Sequence, residues 1–384
     1  MKKKEAIITI AVFLVLLFGL TIWNLLTPDR EFSYNENKYL DQMPSFSWEK
    51  LLSGEWQEDF ESYITDQFIG RDAWVGMNVA SERVIGKKDV NGVIFGKDHY
   101  MIQMHTPQDV DGELVEKNLE RLRLFVEKSK VMVGEEHTSV MLVPTASEVL
   151  ADKLPSFASG MLYDQKALLE RAREQAGAEA WIDAEELLGQ HKEEYIFYRT
   201  DHHWTMTGAF YAYQEWMSRK GYGSVKLEDY EQVTLSEDFL GTTYSKAPDG
   251  SAKADTMLLF EKDPEREYTV YLEGADQGRQ GLYDPAKLQE KDKYASYLYG
   301  NNGLVEITGG EENGRTLLII KDSYAHCFAT LAAQDFEKVY LIDPRYFLQD
   351  VWEFARTHQV TDTLFLFNTM NFAQESYLYI LDEA

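Results

Sequence analysis

Apolar residues along this chain change pattern several times, and each change marks a different kind of element. After Met1-Lys2-Lys3-Lys4-Glu5, the stretch Ala6 to Leu26 runs about 21 residues without a charge, enough as a helix to cross about 30 Å of hydrocarbon. Thr21-Ile22-Trp23-Asn24-Leu25-Leu26 offers no small-x-small cleavage site, so a retained spanning helix is expected rather than a removed signal. No cysteine follows for lipid attachment. Three lysines before the span, and Asp29, Glu31 and Glu36 after it, place the amino terminus in the cytoplasm and the remainder outside.

Residues 28–47 are polar and aperiodic and read as an extended stalk. Helical spacing then appears at Trp56, Phe60, Tyr63, Ile64 and Phe68, and again at Trp74, Val75 and Val79, predicting two helices. Val93-Ile94-Phe95 and Tyr100-Met101-Ile102, around Gly96, predict a hairpin. An amphipathic helix through Leu119, Leu122, Phe125 and Val126 leads to a strand at Ser139 to Val143. A helix is expected at 165–175, short strands at Trp181 to Asp183 and at Tyr195 to Arg199, and a helix capped by Thr205 or Thr207 running toward Lys220.

From about 224 to 314 the pattern shifts to short strand-like pieces such as Thr256 to Phe260 and Glu267 to Leu272, an insertion or β-rich cap. Regular alternation returns with strands at 316–320, 338–342 and 363–367, and helices at 324–334 and 347–357. Such alternation predicts an α/β parallel sheet covered by helices. The expected organisation is an anchor at 1–27, a stalk at 28–47, a helical and hairpin segment at 48–135, and a core domain at 136–384 carrying the insertion.

Composition narrows the partners. A formal charge of -27, from 65 acidic against 38 basic residues, argues against nucleic acid, because phosphate binding needs a basic surface. Aromatic residues make up 13% of the chain; such rings stack on sugars, although any single ring is more often core. Cys327 is the sole cysteine, which excludes an internal disulfide.

Chemistry concentrates at Thr200-Asp201-His202-His203-Trp204-Thr205. On a strand end, residues two apart face the same side, so Asp201 can orient His203 while His202 points away. Downstream, Thr316 to Ile320 leads into Lys321-Asp322-Ser323-Tyr324, a strand passing into a helix with a hydroxyl at the turn. Taken alone, Asp322 or Ser323 reads as a helix cap; together with Asp201 and His203, Ser323 reads as the nucleophile of a Ser-His-Asp triad. Asn302 in the Asn301-Asn302 pair can donate to an oxyanion or simply form a turn. Arg345 follows a predicted strand at the carboxyl end of the sheet, where it can clamp substrate or pair with an acidic neighbour. No cofactor or metal is expected, since adjacent strand histidines diverge and His99, His105, His137, His191, His326 and His358 are scattered. Cys327, one helical turn after Ser323, reads as a small buried hydrophobe.

The Asp-His-His-Trp element, the Asp322-Ser323-Tyr324 turn and Ile342-Asp343-Pro344-Arg345-Tyr346 together resemble the DHHW family, related to the SGNH-hydrolase-like proteins of alginate O-acetylation of the AlgX and AlgJ type. Phe60 to Arg71 and Gly92 to Lys97 resemble the region before the hydrolase-like core. The resemblance implies an SGNH-hydrolase-like three-layer fold, with Ser323 as nucleophile, His203 as general base and Asp201 as orienting carboxylate. Asn302, Arg345 and Tyr324 become substrate or oxyanion candidates. Two departures stand out: Lys321 where many SGNH enzymes have Gly, and Tyr299-Gly300-Asn301-Asn302 in place of a Gly-Gly-Asn-His element.

The implied function is an O-acetyltransferase or esterase acting on an extracellular cell-envelope polysaccharide, supplied through a membrane-bound O-acyltransferase. Two alternatives stand beside it: a non-catalytic glycan-binding or scaffold subunit of such a membrane complex, and a metal-dependent hydrolase using His202 or His203.

Overall fold

The computed structural model describes residues 2–382, which group into two compact units. The smaller comprises the chain up to Val90 with Tyr244–Ser251; the larger comprises Asn91–Thr243 and Ala252 onward.

In the smaller unit the uncharged run forms one helix, α1 (Lys2–Leu26), whose apolar window is long enough to cross a membrane. The segment expected as an extended stalk instead folds back on itself. Phe32–Ser33 pairs antiparallel with Lys38–Tyr39, and its charges pair with α2 (Glu55–Asp66) and α3 (Arg71–Val84). Arg30 bonds Asp72 at 2.9 Å, Lys38 bonds Asp66 at 2.9 Å, and Arg71 meets Glu36 at 2.7 Å. The apparent lack of periodicity in 28–47 thus reflects charge pairing across the chain, which hydrophobic pattern does not report. A short helix, Trp48–Ser53, precedes α2, so the two expected helices are three.

The larger unit is built on a seven-stranded sheet: β1 (Thr138–Val143), β2 (Thr269–Leu272), β3 (Arg279–Gln280), β4 (Leu304–Thr308), β5 (Thr316–Lys321), β6 (Lys338–Ile342) and β7 (Asp362–Asn368). Their order is β3-β2-β4-β6-β5-β7-β1. The four strands β6, β5, β7 and β1 run parallel, while β4, β2 and β3 extend the sheet antiparallel. The expected parallel sheet is therefore mixed, and half of the expected β-rich insertion completes the sheet. The ribbon Glu231–Phe239 with Asp255–Glu261 pairs apart from it.

Alternate residues of the central strands enter two separate cores. Met141, Leu317, Ile319, Leu341 and Leu364 join the helices Met206–Arg219 and α4 (Ala325–Asp335). Val140, Leu318, Ile320, Ile342 and Phe365 face Gly112–Val133, Gln165–Ala176 and Val351–Thr357. Strands covered on both faces become continuous apolar runs, which is why 316–320 reads Thr-Leu-Leu-Ile-Ile. Asp322 and Asp343, which follow β5 and β6, and Asn368, the last residue of β7, gather at the carboxyl ends of the parallel strands, the usual ligand edge of such sheets.

Candidate active site

Asp201 and His203 lie on a tight bend, and the strand expected at Tyr195 to Arg199 is reduced to a single bridge, Phe197 with Trp204. Thr205 N donates to Ile196 O at 2.9 Å and Tyr198 N to His203 O at 3.2 Å, closing the bend. Within it Asp201 Oδ1 accepts from the His203 backbone N–H at 3.0 Å and meets His203 Nδ1 at 2.6 Å. This is an Asx turn, in which a carboxylate bonds the backbone two residues on. It brings the imidazole to the carboxylate without strand alternation, and the expected divergence of the histidines does not occur: their ring centroids lie 3.9 Å apart. His202 Nδ1 instead meets Thr242 Oγ1 at 2.6 Å.

Asp201 Oδ2 is held by Thr242, whose N–H donates at 2.8 Å and hydroxyl at 2.9 Å. A Cβ at Gly241 would fall inside contact distance of that oxygen, so only glycine allows this approach. Burial alone would raise the carboxyl pKa of Asp201, but the two imidazoles and the Thr242 N–H outweigh it and hold the group well below the usual carboxylate range. The start of the bend is fixed by buried Asp255, which accepts from Arg199 N and Thr200 N at 2.8 Å each, from Thr200 Oγ1 at 2.6 Å, and from the Tyr195 hydroxyl.

His203 Nε2 lies 2.8 Å from Ser323 Oγ. With Nδ1–H assigned toward Asp201, Nε2 is the acceptor for the serine hydroxyl. Ser323 stands two residues beyond β5, in the turn that begins α4. It does not serve as a side-chain cap; Asp322 takes the Tyr324 N–H at 2.9 Å and also binds Asn368 N at 2.9 Å and Asn371 Nδ2 at 2.7 Å. Among the described residues the Ser323 backbone N–H has no hydrogen-bond partner, leaving a donor directed by the turn rather than consumed by it.

Tyr294, which the sequence reading did not single out, lies flat on the His203 ring, with centroids 3.7 Å apart and planes 9° from parallel. Its hydroxyl donates to Ser323 O at 3.1 Å, so one side chain touches both members of the contact. The Trp of the Asp-His-His-Trp run is buried, and its indole N–H donates to Tyr324 O at 2.9 Å. Tyr324 is also wholly buried, with its hydroxyl on His202 O, so its side chain braces the histidine loop and meets no solvent.

The other candidates sit differently. Asn302 Nδ2 donates to Gly300 O at 3.2 Å and Tyr299 O at 3.4 Å, within its own turn. Arg345 binds Asp343 through Nε at 2.8 Å and Nη2 at 2.7 Å. The same carboxylate receives Lys321 Nζ at 3.0 Å, and that ammonium also meets His326 Nε2 at 3.1 Å. The lysine that departs from the SGNH pattern is thus fully buried and ion-paired, its pKa lowered by burial against the opposing pull of Asp343. Cys327 is buried, and burial pushes its thiol up to about 12. Asp201, His202 and His203 carry ligand-type atoms within 4.8 Å of one another; Thr242 engages Nδ1 of His202, and Asp201 and Ser323 engage the two nitrogens of His203.

A mixed α/β sheet between helical layers, with a serine beyond a central strand, is the SGNH-hydrolase-like fold. The DHHW protein model matches residues 118–342, well over half of the chain, and the chain belongs to the DHHW family. A DHHW family protein from Eubacterium siraeum superposes with a TM-score of 0.62 at 24% identity, over 77% of this chain and 96% of that one. Bacillus cereus PatB1, in a structure with a sulfonyl adduct, superposes at 0.62 with 19% identity, over 75% of this chain and 97% of its own. No curated protein matches the sequence.

Proposed function

We propose that the chain transfers an acyl group, most simply acetyl, through an ester on Ser323, and that the acceptor is an extracellular cell-envelope polysaccharide. The observation that carries this reading is the chain Asp201 Oδ1, His203 Nδ1, His203 Nε2, Ser323 Oγ, with contacts of 2.6 and 2.8 Å. In the first half-reaction Ser323 Oγ attacks the donor carbonyl while His203 Nε2 takes its proton. Collapse of the tetrahedral species breaks the bond to the leaving oxygen, which receives that proton, and leaves acyl-Ser323 with neutral His203. In the second half a sugar hydroxyl or water attacks the ester, giving its proton to His203, which returns it to Ser323 Oγ. Asp201 stabilises the imidazolium in both halves, and the Ser323 N–H is the proposed first oxyanion donor.

Supporting the reading, PatB1 shares the fold and carries a sulfonyl adduct; sulfonyl reagents are electrophiles that remain on an activated nucleophile, and Ser323 is where one is expected here. A membrane-bound O-acyltransferase is the proposed donor partner, with α1 as a single spanning anchor whose amino end is cytoplasmic. The test is steady-state hydrolysis of a chromogenic acetyl ester, with and without glycan oligomers as acceptor. Wild type should release chromophore and acetylate the oligomer, and Ser323→Ala should lose both by at least about 10³-fold. Equal rates in wild type and Ser323→Ala, with glycan binding retained in both, would support the scaffold-subunit reading instead.

A further inference from the structure

The carboxyl end of α1 is not a free tether. Asn24, two residues before the helix ends, accepts the Ile69 N–H through Oδ1 at 2.7 Å. Leu20, Asn24 and Thr27, spaced on one face of the last turns, are partly covered, whereas Trp23, Leu25 and Leu26 are 61%, 77% and 77% exposed. Arg30 N donates to Gln67 Oε1 at 2.9 Å, Gln67 Nε2 returns to Arg30 O at 2.9 Å, and the Tyr63 hydroxyl reaches Asp29 at 3.1 Å. The loop joining α2 to α3 is therefore fixed against the last turns of α1. At about 1.5 Å per residue, Leu20 lies about 9 Å back from the helix end.

That loop and the adjoining turns of α2 and α3 present apolar side chains outward. Phe68 and Trp74 contact each other with centroids 6.3 Å apart and are 36% and 51% exposed, with Ile64 at 37% beside them in sequence on α2. The Trp74 indole N–H is already satisfied by Ile69 O at 3.1 Å, so its ring can leave water without an unpaired donor. The neighbouring charges are internally paired, Arg71 with Glu36 and Asp66, and Arg30 with Asp72.

From this juxtaposition we propose that the Phe68 and Trp74 face is a membrane-contact surface, seated in the headgroup region of the leaflet at the carboxyl end of α1. The inference rests on the reading that α1 crosses the bilayer. If it does, a loop bonded to Asn24 lies within the interfacial zone, which adds about 5–8 Å to each side of the hydrocarbon. Exposed aromatic rings at that depth are the composition expected of an interfacial belt. The occupant is the lipid surface; a second protein at the same face is an outcome the test separates.

The test uses the full chain reconstituted in phosphatidylcholine and phosphatidylglycerol vesicles. Cys327 is buried, so single surface cysteines can be labelled with an environment-sensitive fluorophore. Labels at Leu16→Cys, Trp74→Cys and Phe68→Cys are each exposed to lipid-borne nitroxides, shallow or deep, and to aqueous iodide. The proposal expects the label at 16 to be quenched most by deep nitroxide, and those at 68 and 74 at least twofold more by shallow nitroxide than by iodide. If 16 is in lipid while both 68 and 74 respond only to iodide, or to neither quencher, the contact surface is refuted and the span stands. If 16 responds to iodide, the span itself fails and the proposal with it.

Discussion

At Asp201 two influences oppose each other. Burial favours the neutral acid, yet the imidazoles of His202 and His203 and the Thr242 N–H prevail and keep it ionised. Because its folded pKa is depressed, the stability it contributes is complete above the ordinary value of 3.8 and is lost only as pH falls through the lower folded value. Over the neutral range it is therefore a permanent anion for His203. Asp201→Asn keeps an acceptor for Thr242 but turns an amide donor toward the His203 backbone N–H and favours the wrong imidazole tautomer, so ester turnover should drop about 10³- to 10⁴-fold, and the melting temperature should fall as the contribution of the ionised carboxylate is lost. A variant that retains full kcat would remove Asp201 from the mechanism.

Tyr294 allows a finer dissection of the same site. Tyr294→Phe keeps the ring on His203 and loses the hydroxyl's bonds to Ser323 O and to Cys327 Sγ, of which the bond to Ser323 is the one at the site, a loss of about 1 kcal/mol, or roughly fivefold in kcat. Tyr294→Leu removes the flat partner as well and should cost more. If the two variants behave alike in kcat, the stacking has no role in positioning the imidazole.

Among the elements, what the sequence revealed depended on whether hydrophobic pattern or polar geometry determined the local structure. β1, β5, β6 and β7 were legible because strands buried on both faces are short apolar runs between turn signals. The hairpin of Val93–Phe95 with Met101–Gln103 was legible for a related reason, since Gly96 punctuates it. The histidine loop looks like a strand end in the sequence, because an Asx turn and four bonds to Asp255 leave no periodic trace. The pairing of Asp201 with His203 still came through, since Asx geometry and strand alternation both relate residues i and i+2. Thr242, Tyr294 and Asp255 were invisible because each reaches the loop from far along the chain.

Gly241 shows how an element depends on one missing carbon. Gly241→Ala would push the Thr242 donors off Asp201 Oδ2, or displace the histidine bend. The expected consequence is a destabilisation of about 1–3 kcal/mol together with a fall in kcat greater than loss of folded protein explains. Denaturant midpoints and turnover on the same preparation separate the two. Unchanged turnover with a lowered midpoint would mean that the Thr242 contacts serve stability alone.

For the whole molecule, composition and motif indicated different things. The large negative charge argued against nucleic acid, and the uncharged run suggested an anchor, but neither pointed to chemistry. The Asp-His-His-Trp and Asp-Ser-Tyr elements did, though they lie about 120 residues apart in sequence; the sheet joins them by setting Ser323 beyond a central strand. The smaller unit was the least legible part, because its coherence lies in ion pairs and in the capping of Ile69 by Asn24. That coherence makes α1 a fixed extension of a folded unit rather than one end of a flexible tether.

The central claim is that Ser323 carries the acyl group, and its most direct test is mass spectrometry of the full chain quenched during turnover of an acetyl ester. The account predicts an acetyl-sized mass increase that maps to the peptide containing Ser323, accumulates in wild type and is absent from Ser323→Ala and His203→Ala. An adduct on another residue, or turnover with Ser323 unmodified and replaceable by alanine, would contradict it.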